Sequence, residues 1–237
     1  MNVLVLFSGG MDSTTLLYHH MDAGNRVRAI SFDYGQRHIR ELSSARDITS
    51  HLKVPWVVAN LSRLQSLLPG SSQTDSAVDV PEGRYDDKSM ELTVVPNRNM
   101  IFLSVAIGVA IAHRCDAVSY AAHAGDHAIY RDCRPEFASA MDKAALLCDA
   151  RPINLHRPFI LMTKAQIVSR GAKLGVDFLS TWSCYVGAEV HCGRCGTCIE
   201  RREAFHLANV ADPTTYGESA PSVEDMVKSN WHLPKRC

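Results

Sequence analysis

Six residues near the N-terminus, Ser8-Gly9-Gly10-Met11-Asp12-Ser13, carry the densest chemical pattern in this sequence. They follow the apolar run Val3–Phe7 and precede a helical run from Thr14. Paired glycines let a backbone turn sharply and bring its N–H groups to a ligand without an intervening Cβ. Ser13 and its successors then open a helix, whose free N–H groups and macrodipole favour an anion. A strand, a glycine-rich loop and a helix in that order make a phosphate cradle. The lysine of the G-x-x-x-x-G-K-[ST] loop is missing, so ordinary kinase or ATPase chemistry does not fit. Asp12 places a carboxylate at the cradle, a residue type also suited to an N-cap.

The second cluster is Cys184, Cys192, Cys195 and Cys198, whereas Cys115, Cys133, Cys148 and Cys237 are scattered. The last three of the cluster have metal-knuckle spacing, and Gly193 and Gly196 each follow a cysteine where tight turns let sulfurs converge. In a reducing compartment such a cluster reads as metal ligation before disulfides. Four thiolates close a tetrahedral shell, which suits structural zinc because no position is left for a catalytic water. An iron–sulfur cluster takes the same ligands and stays open on spacing alone. Either would pin the stretch from Ser180 to Arg202 as a scaffold for a pocket, with no reactive role of its own.

These residues need a frame. Of 237 residues 46% are hydrophobic and 21% charged, a globular composition long enough for one substantial core. Formal net charge is zero, which argues against a general nucleic-acid or membrane-surface binder. No apolar run approaches the ~20 residues that span a bilayer, and the N-terminal run is too short for a signal-peptide core. The expected location is the cytoplasm. Runs at 3–7, 27–32, 55–59 and 117–121 read as buried strands, alternating with helical patterns at 13–22, 36–52 and 97–113. That alternation predicts an α/β fold with a doubly wound parallel sheet. Ligands should gather beyond the carboxyl ends of its strands. The phosphate loop, Asp33-Tyr34-Gly35-Gln36 and the stretch after Tyr120 all fall there. Residues 60–92, with Pro69-Gly70-Ser71-Ser72 and Pro81-Glu82-Gly83, break the rhythm and read as a flap beside the site. The expected division is a nucleotide-binding domain over 1–178 and a four-cysteine segment with its tail over 179–237. That tail, with Pro213, Pro221 and Pro234, should pack across the surface or a subunit boundary. Lys164, after Thr163, opens a helix where its charge opposes the dipole, a mismatch that favours a functional role. Arg98 and Asn99 open the helix to Ala112 and point toward the strand ends, and Arg98 can grip a carboxylate or phosphate with two N–H groups.

The Ser8–Ser13 loop resembles that of the PP-loop ATP pyrophosphatases, which cleave ATP to AMP and pyrophosphate. The chain as a whole resembles the 7-cyano-7-deazaguanine synthase family of queuosine precursor biosynthesis. The matching motifs are Phe7–Thr15, Phe32-Asp33-Tyr34-Gly35-Gln36-Arg37-His38, Val95-Pro96-Asn97-Arg98-Asn99 and His123-Ala124-Gly125-Asp126-His127. They continue with Asp132-Cys133-Arg134-Pro135-Glu136-Phe137, Thr163-Lys164-Ala165 and Trp182-Ser183-Cys184-Tyr185, followed by Cys192-Gly193-x-Cys195. The resemblance implies an adenine nucleotide alpha-hydrolase-like sheet and an ATP- and magnesium-dependent reaction. ATP adenylates 7-carboxy-7-deazaguanine, ammonia displaces AMP to give an amide, and a second adenylation permits elimination to the nitrile. It also implies zinc on the four cysteines and a homodimer. By the same resemblance Phe7, Ser8, Gly9, Gly10, Met11, Asp12, Ser13, Thr14, Thr15, Tyr34 and Gln36 surround ATP. Asp12, Ser13, Lys164 and Arg98 are the catalytic set, with Lys164 neutralising phosphate at the transition state. Asn99, Asp126, Tyr130, Asp132 and Arg134 are the deazapurine contacts, Tyr130 stacking and an aspartate accepting from the amino-pyrimidone edge. Cys133 reads as pocket wall because adenylation needs no nucleophilic thiol, and His123 and His127 as local hydrogen-bonding groups.

Two departures stand out. Arg131 occupies the usual proline of the Y-P-D-C-R motif, and Ala121 and Ala122 occupy positions often held by Gly-Val. Both border the expected pocket, so they motivate an alternative acceptor: an enzyme that stops at the amide, or joins the deazapurine acyl group to another amine, such as one on a protein in bacterial defence. Transfer-RNA modification, performed by other PP-loop proteins, is opposed by the zero net charge and the absence of a basic stripe. A non-catalytic nucleotide-binding module is opposed by the intact loop together with Lys164.

Overall fold

Val3, Val5 and Phe7 alternate with Leu4 along the first strand, and all four are buried. A strand that is apolar on both faces must lie inside a sheet covered on both sides. The structure, a computed structural model describing residues 1–85 and 88–233, shows this arrangement. Pro234 and Cys237 lie outside the described residues. β1 (Asn2–Leu6) pairs in parallel with β2 (Arg26–Asp33) on one side and β4 (Ala117–Ser119) on the other. β3 (Trp56–Asn60) and β5 (Asn154–His156) complete the parallel order β3-β2-β1-β4-β5. The order reverses between β1 and β4, and a crevice opens beyond the strand ends at that point.

Leu4, Ile30, Phe32 and Val118 face a core closed by α3 (Arg98–Ala112) and α4 (Pro135–Ala145). Val3, Val5 and Phe7 face the opposite core, closed by α1 (Met11–Asp22), α2 (Arg40–His51) and α5 (Lys164–Lys173). The sheet is doubly wound, as the alternation of runs predicts. The four-cysteine segment leads into α6 (Gly196–Leu207), and α7 (Val223–Lys228) lies in the tail. Ala204 and Phe205 of α6 share a cluster with Met11, Val168 and Phe178, so this core crosses position 178 without a break. The tail packs on α6 through Met226 and Trp231 against Ile199. Among the described residues no helix is long and apolar enough to cross a membrane.

Several boundaries differ from the sequence reading. The helix expected from residue 36 begins at Arg40, because the Gln36 amide satisfies the turn before it. Its Oε1 accepts from Tyr34 N–H at 2.9 Å and its Nε2 donates to the Phe32 carbonyl at 2.9 Å. The third run, read as buried, forms an edge strand with Val57 and Val58 45% and 42% exposed. β5 and α4 were not anticipated, β5 because Asn154-Leu155-His156 offers only one apolar residue to a run-based reading. Residues 60–92 contain 3-10 turns at Ser62–Leu67 and Lys88–Thr93, with Ser71–Thr74 buried between them. Arg37 donates from Nη2 to the carbonyls of Asp75 (2.9 Å) and Val78 (2.8 Å), tying this stretch to the loop after β2.

Candidate active site

The loop between β1 and α1 sits at the switch point. Gly9 has φ +82°, and a Cβ there would stand 2.6 Å from both Ala45 N and Glu41 O, so only glycine fits against α2. Gly10 is the N-cap of α1 and supplies no side-chain cap. The first N–H groups of this helix therefore face the crevice without an internal acceptor, the arrangement that binds anions. Ser8 and Ser13 close the loop: Ser8 N–H donates to Ser13 Oγ at 3.2 Å, and Ser13 Oγ donates to the Gly10 carbonyl at 3.1 Å. Trp182 N–H donates to the Gly9 carbonyl at 3.0 Å, holding the loop from the other side.

Asp12 is the second residue of α1, two places past the Gly10 N-cap, so it does not serve as the N-cap. Its Oδ2 lies 3.0 Å from Lys164 Nζ, and its Oδ1 is buried with no hydrogen-bond partner among the described residues. Burial alone would raise this carboxyl, but Lys164 and then His123 outweigh it and hold it below its ordinary value. Lys164 opens α5 after Thr163, whose hydroxyl accepts from Gln166 N–H while the Gln166 side chain accepts from Thr163 N–H. That capping box aims the lysine at the crevice. Its ammonium lies 2.7 Å from Glu200 Oε2 as well as 3.0 Å from Asp12. Burial opposes its charge, yet the two carboxylates outweigh burial and raise its pKa. Burial pushes the Glu200 carboxyl up, and Lys164 offsets only part of that rise. Gly125 N–H donates to His123 Nδ1 at 3.1 Å. This bond leaves the imidazole proton on Nε2, which faces Asp126 Oδ1 at 3.5 Å and Asp12 Oδ2 at 3.9 Å.

Asp12, His123, Asp126 and Lys164 line one cavity of ≈ 250 Å³ together with an aromatic wall of Phe32, Tyr34, Phe102, Tyr120, Tyr130 and Tyr185. Phe32 and Phe102 stack with centroids 4.2 Å apart. Arg98 reaches this part of the cavity, with Nη1 3.4 Å from Tyr34 Oη. It has no carboxylate partner among the described residues, so its charge is available to an anionic ligand. Glu41 also lines the cavity, its carboxyl pushed by burial to about 7. A cavity with cationic and N–H groups at one part and flat apolar rings at another suits a phosphorylated, ring-bearing ligand.

The sequence-predicted residues divide accordingly. Phe7, Ser8, Gly10, Met11, Asp12, Ser13, Tyr34, Arg98, Asn99, Asp126, Tyr130, Cys133 and Lys164 line the cavity. Gly9, Thr14 and Thr15 stand behind it, with Thr14 Oγ1 donating to the Gly10 carbonyl. Gln36 is also set back, its amide engaged by the turn already described. Asp132 accepts from the backbone N–H of Asn99 at 2.9 Å, which ties the α3 N-terminus to the 131–133 turn, and Arg134 donates to the His127 carbonyl at 2.9 Å. Neither reaches the cavity. Burial drives the Cys133 thiol well up, consistent with a pocket wall. Glu41 went unnoticed in the sequence, and so did Glu200. The signal for Glu200 lies two positions after Cys198, on a helix whose cysteines drew all the attention.

The four thiols of Cys184, Cys192, Cys195 and Cys198 lie within 4.8 Å of one another. A tetrahedral site with metal–sulfur bonds of ~2.3 Å needs sulfurs about 3.8 Å apart, and Cys192 Sγ and Cys198 Sγ are 3.9 Å apart. Backbone N–H groups of Arg194 (3.4 Å) and Cys195 (3.2 Å) point at Cys192 Sγ, and that of Cys192 (3.4 Å) at Cys184 Sγ. Donors directed at sulfur stabilise thiolates, so the cluster is built to bind a metal.

The profile described as queuosine biosynthesis protein QueC matches residues 2–209. The chain belongs to this family. It is 51% identical to a 7-cyano-7-deazaguanine synthase of Methanoregula boonei, over 91% of this chain and 99% of that one. Identity is 48% to the synthase of Marinobacter nauticus, covering 91% and 97%, and 50% to that of Caldicellulosiruptor saccharolyticus, covering 91% and 96%. Within this QueC-family fold the two departures differ in position. Ala121 and Ala122 line the cavity, whereas the Arg131 side chain is exposed and does not.

Proposed function

We propose that this QueC-family chain converts 7-carboxy-7-deazaguanine and ammonia into 7-cyano-7-deazaguanine with cleavage of ATP to AMP and pyrophosphate. The observation that carries the reading is the union, in one cavity, of an uncapped helix N-terminus, the buried Lys164 ammonium and an aromatic wall beside Arg98. A carboxylate is a poor acyl donor, and conversion to an acyl adenylate supplies a leaving group. As the substrate carboxylate attacks the α-phosphorus, charge develops on the departing pyrophosphate. The α1 N–H groups, the Ser8 and Ser13 hydroxyls and Lys164 are placed to stabilise it. Ammonia then displaces AMP, and the amide oxygen repeats the attack on a second ATP before elimination to the nitrile.

Magnesium fits Asp12, whose buried Oδ1 lacks a partner and whose charge is maintained by Lys164. Bound there, it would neutralise phosphate charge and orient the leaving group. Zinc fits the four thiols as a closed structural site. A homodimer belongs to the same reading, since α3 carries no charged residue between Asn99 and Ala112 yet leaves Met100 43% exposed. Supply of a biosynthetic substrate from metabolism fits a cytoplasmic location. The test is a mass-spectrometric assay with 7-carboxy-7-deazaguanine, ATP, magnesium and ammonium. AMP with a nitrile is the expected outcome. AMP with only an amide, or turnover that requires another amine, overturns the proposed product, and no AMP overturns the substrate class.

A further inference from the structure

We infer that Glu200 is a positioning residue for the adenylation steps: it holds the Lys164 ammonium over the phosphate cradle when Asp12 is engaged elsewhere. Lys164 Nζ is shared between two carboxylates, Glu200 at 2.7 Å and Asp12 at 3.0 Å. Their situations differ. Asp12 sits on the phosphate-binding helix with an unpartnered oxygen, so its charge is needed by the ligand. Glu200 lies on α6. It does not line the cavity, and among the described residues its side-chain hydrogen bond is to the lysine.

Glu200 sits in an anchored stretch of α6. Cys198, two residues before it, belongs to the thiol cluster. Arg201, the next residue, is fully buried. It donates to Thr181 Oγ1 at 2.8 Å, to Ser183 Oγ at 3.2 Å and to the Phe178 carbonyl at 2.9 Å, and pairs with Asp212 at 3.3 Å. Above the carboxylate, Gly125 leaves the room it needs, since a Cβ at that position would stand 2.8 Å from Glu200 Oε1. The carboxylate is thus fixed by its neighbours on both sides of the chain, and it fixes the lysine in turn.

An ammonium has three N–H donors. One faces Glu200 and one faces Asp12. The third points toward His123 Nε2 at 3.4 Å, but that nitrogen carries the imidazole proton and cannot accept. This third N–H is left for a phosphate oxygen. Without Glu200 the lysine would keep only Asp12 as an acceptor, and the two would pair with each other where each is needed by the nucleotide. The role therefore concerns where the ammonium stands as charge develops on pyrophosphate, and less whether nucleotide binds.

Glu200→Gln keeps the side-chain volume and removes the charge. In the full chain it should lower kcat for AMP formation by about 10- to 100-fold, while Kd for the non-cleavable analogue α,β-methylene-ATP stays within about threefold. Glu200→Asp should recover part of kcat. Should Glu200→Gln fail to fold, Glu200→Met, of similar volume and equally uncharged, carries the same comparison. A cycle with Lys164→Met separates positioning from general structure, because a residue acting through the lysine has nothing left to position once the lysine is gone. In that background Glu200→Gln should change kcat by less than about threefold. Loss of kcat by the same factor in both backgrounds, a kcat in Glu200→Gln within about threefold of wild type, or analogue binding that weakens in step with kcat would each overturn the inference. It rests on the adenylating reading of the cavity, and the outcomes separate. A wild-type chain that forms no AMP overturns that reading, whereas AMP formation without Lys164–Glu200 coupling overturns only the positioning role.

Discussion

Replacing Lys164 with methionine should reverse the way part of the stability of this chain depends on pH. The ammonium lies 3.0 Å from Asp12 and 2.7 Å from Glu200, and side-chain exposure is 12% for the lysine, 22% for Asp12 and 11% for Glu200. At an effective dielectric constant of about 20, each contact carries Coulomb attraction of about 5–6 kcal/mol. The net loss is smaller, because the stranded carboxylates regain water or take up a proton. Breaking a buried pair by removing one partner costs about 3–5 kcal/mol. For a chain of this length that corresponds to a fall in Tm of roughly 6–20 °C near neutral pH. The sign of the pH effect follows from the two carboxyls. Glu200 is already raised by burial, and loss of Lys164 removes what offsets that rise. A group raised on folding contributes stability below its unfolded pKa and loses it as pH climbs through the folded value. Asp12, held low mainly by Lys164, contributes in wild type a stability present above its unfolded pKa and lost as pH falls through the depressed one. The variant forfeits the Asp12 component at every pH above that carboxyl's ordinary value, and the further rise of Glu200 adds a cost that grows as pH climbs through its folded value, so the deficit should be larger at about pH 8 than at about pH 5.5. Thermal melts of both proteins across this interval measure it, with AMP formation expected to fall about 10²- to 10³-fold in parallel. A variant melting within about 2 °C of wild type throughout, or one with its largest deficit at the acid end, would refute the argument that these charges are desolvated and mutually dependent.

Three further outcomes are expected. Cys195→Ser should release metal and lower Tm sharply, measured by metal analysis and melting, because α6 loses the anchor of its first turn; unchanged metal content would contradict the four-thiol assignment. Asp12→Asn should abolish detectable AMP formation while keeping a cooperative melt, since it removes the charge at the unpartnered position but not the helix; retained turnover would remove Asp12 from the catalytic set. Arg131→Pro should leave the nitrile-to-amide product ratio unchanged by mass spectrometry, because that side chain is exposed and outside the cavity wall. A shift in products would mean that the 131–133 turn controls the acceptor.

Much of the site was legible from residues close together in the chain. Ser8–Ser13 declares itself because turn, strand end and helix start are local properties of consecutive residues. The cysteine cluster does so through short spacing, and Lys164 through its clash with the helix dipole. Position 36 was legible as a strand end but not as a helix delay, since the amide that halts the helix bonds to its own turn. Asp132 and Arg134 looked like ligand contacts because polarity does not reveal direction, and only the packed chain turns them to Asn99 and to the His127 carbonyl.

What the sequence determines alone is therefore the parallel α/β frame, the phosphate loop and the set of metal-binding thiols. Each follows from periodicity or from short-range spacing, where the backbone leaves few alternatives. What the tertiary structure decides is which distant charges meet. Asp12, His123, Lys164 and Glu200 come from four separate elements, and their distances depend on helix packing across the end of the sheet. No spacing rule spans the 36 residues from Lys164 to Glu200. They meet because the Gly196–Leu207 helix, held by its thiols and by Arg201, packs against the helix that Lys164 begins.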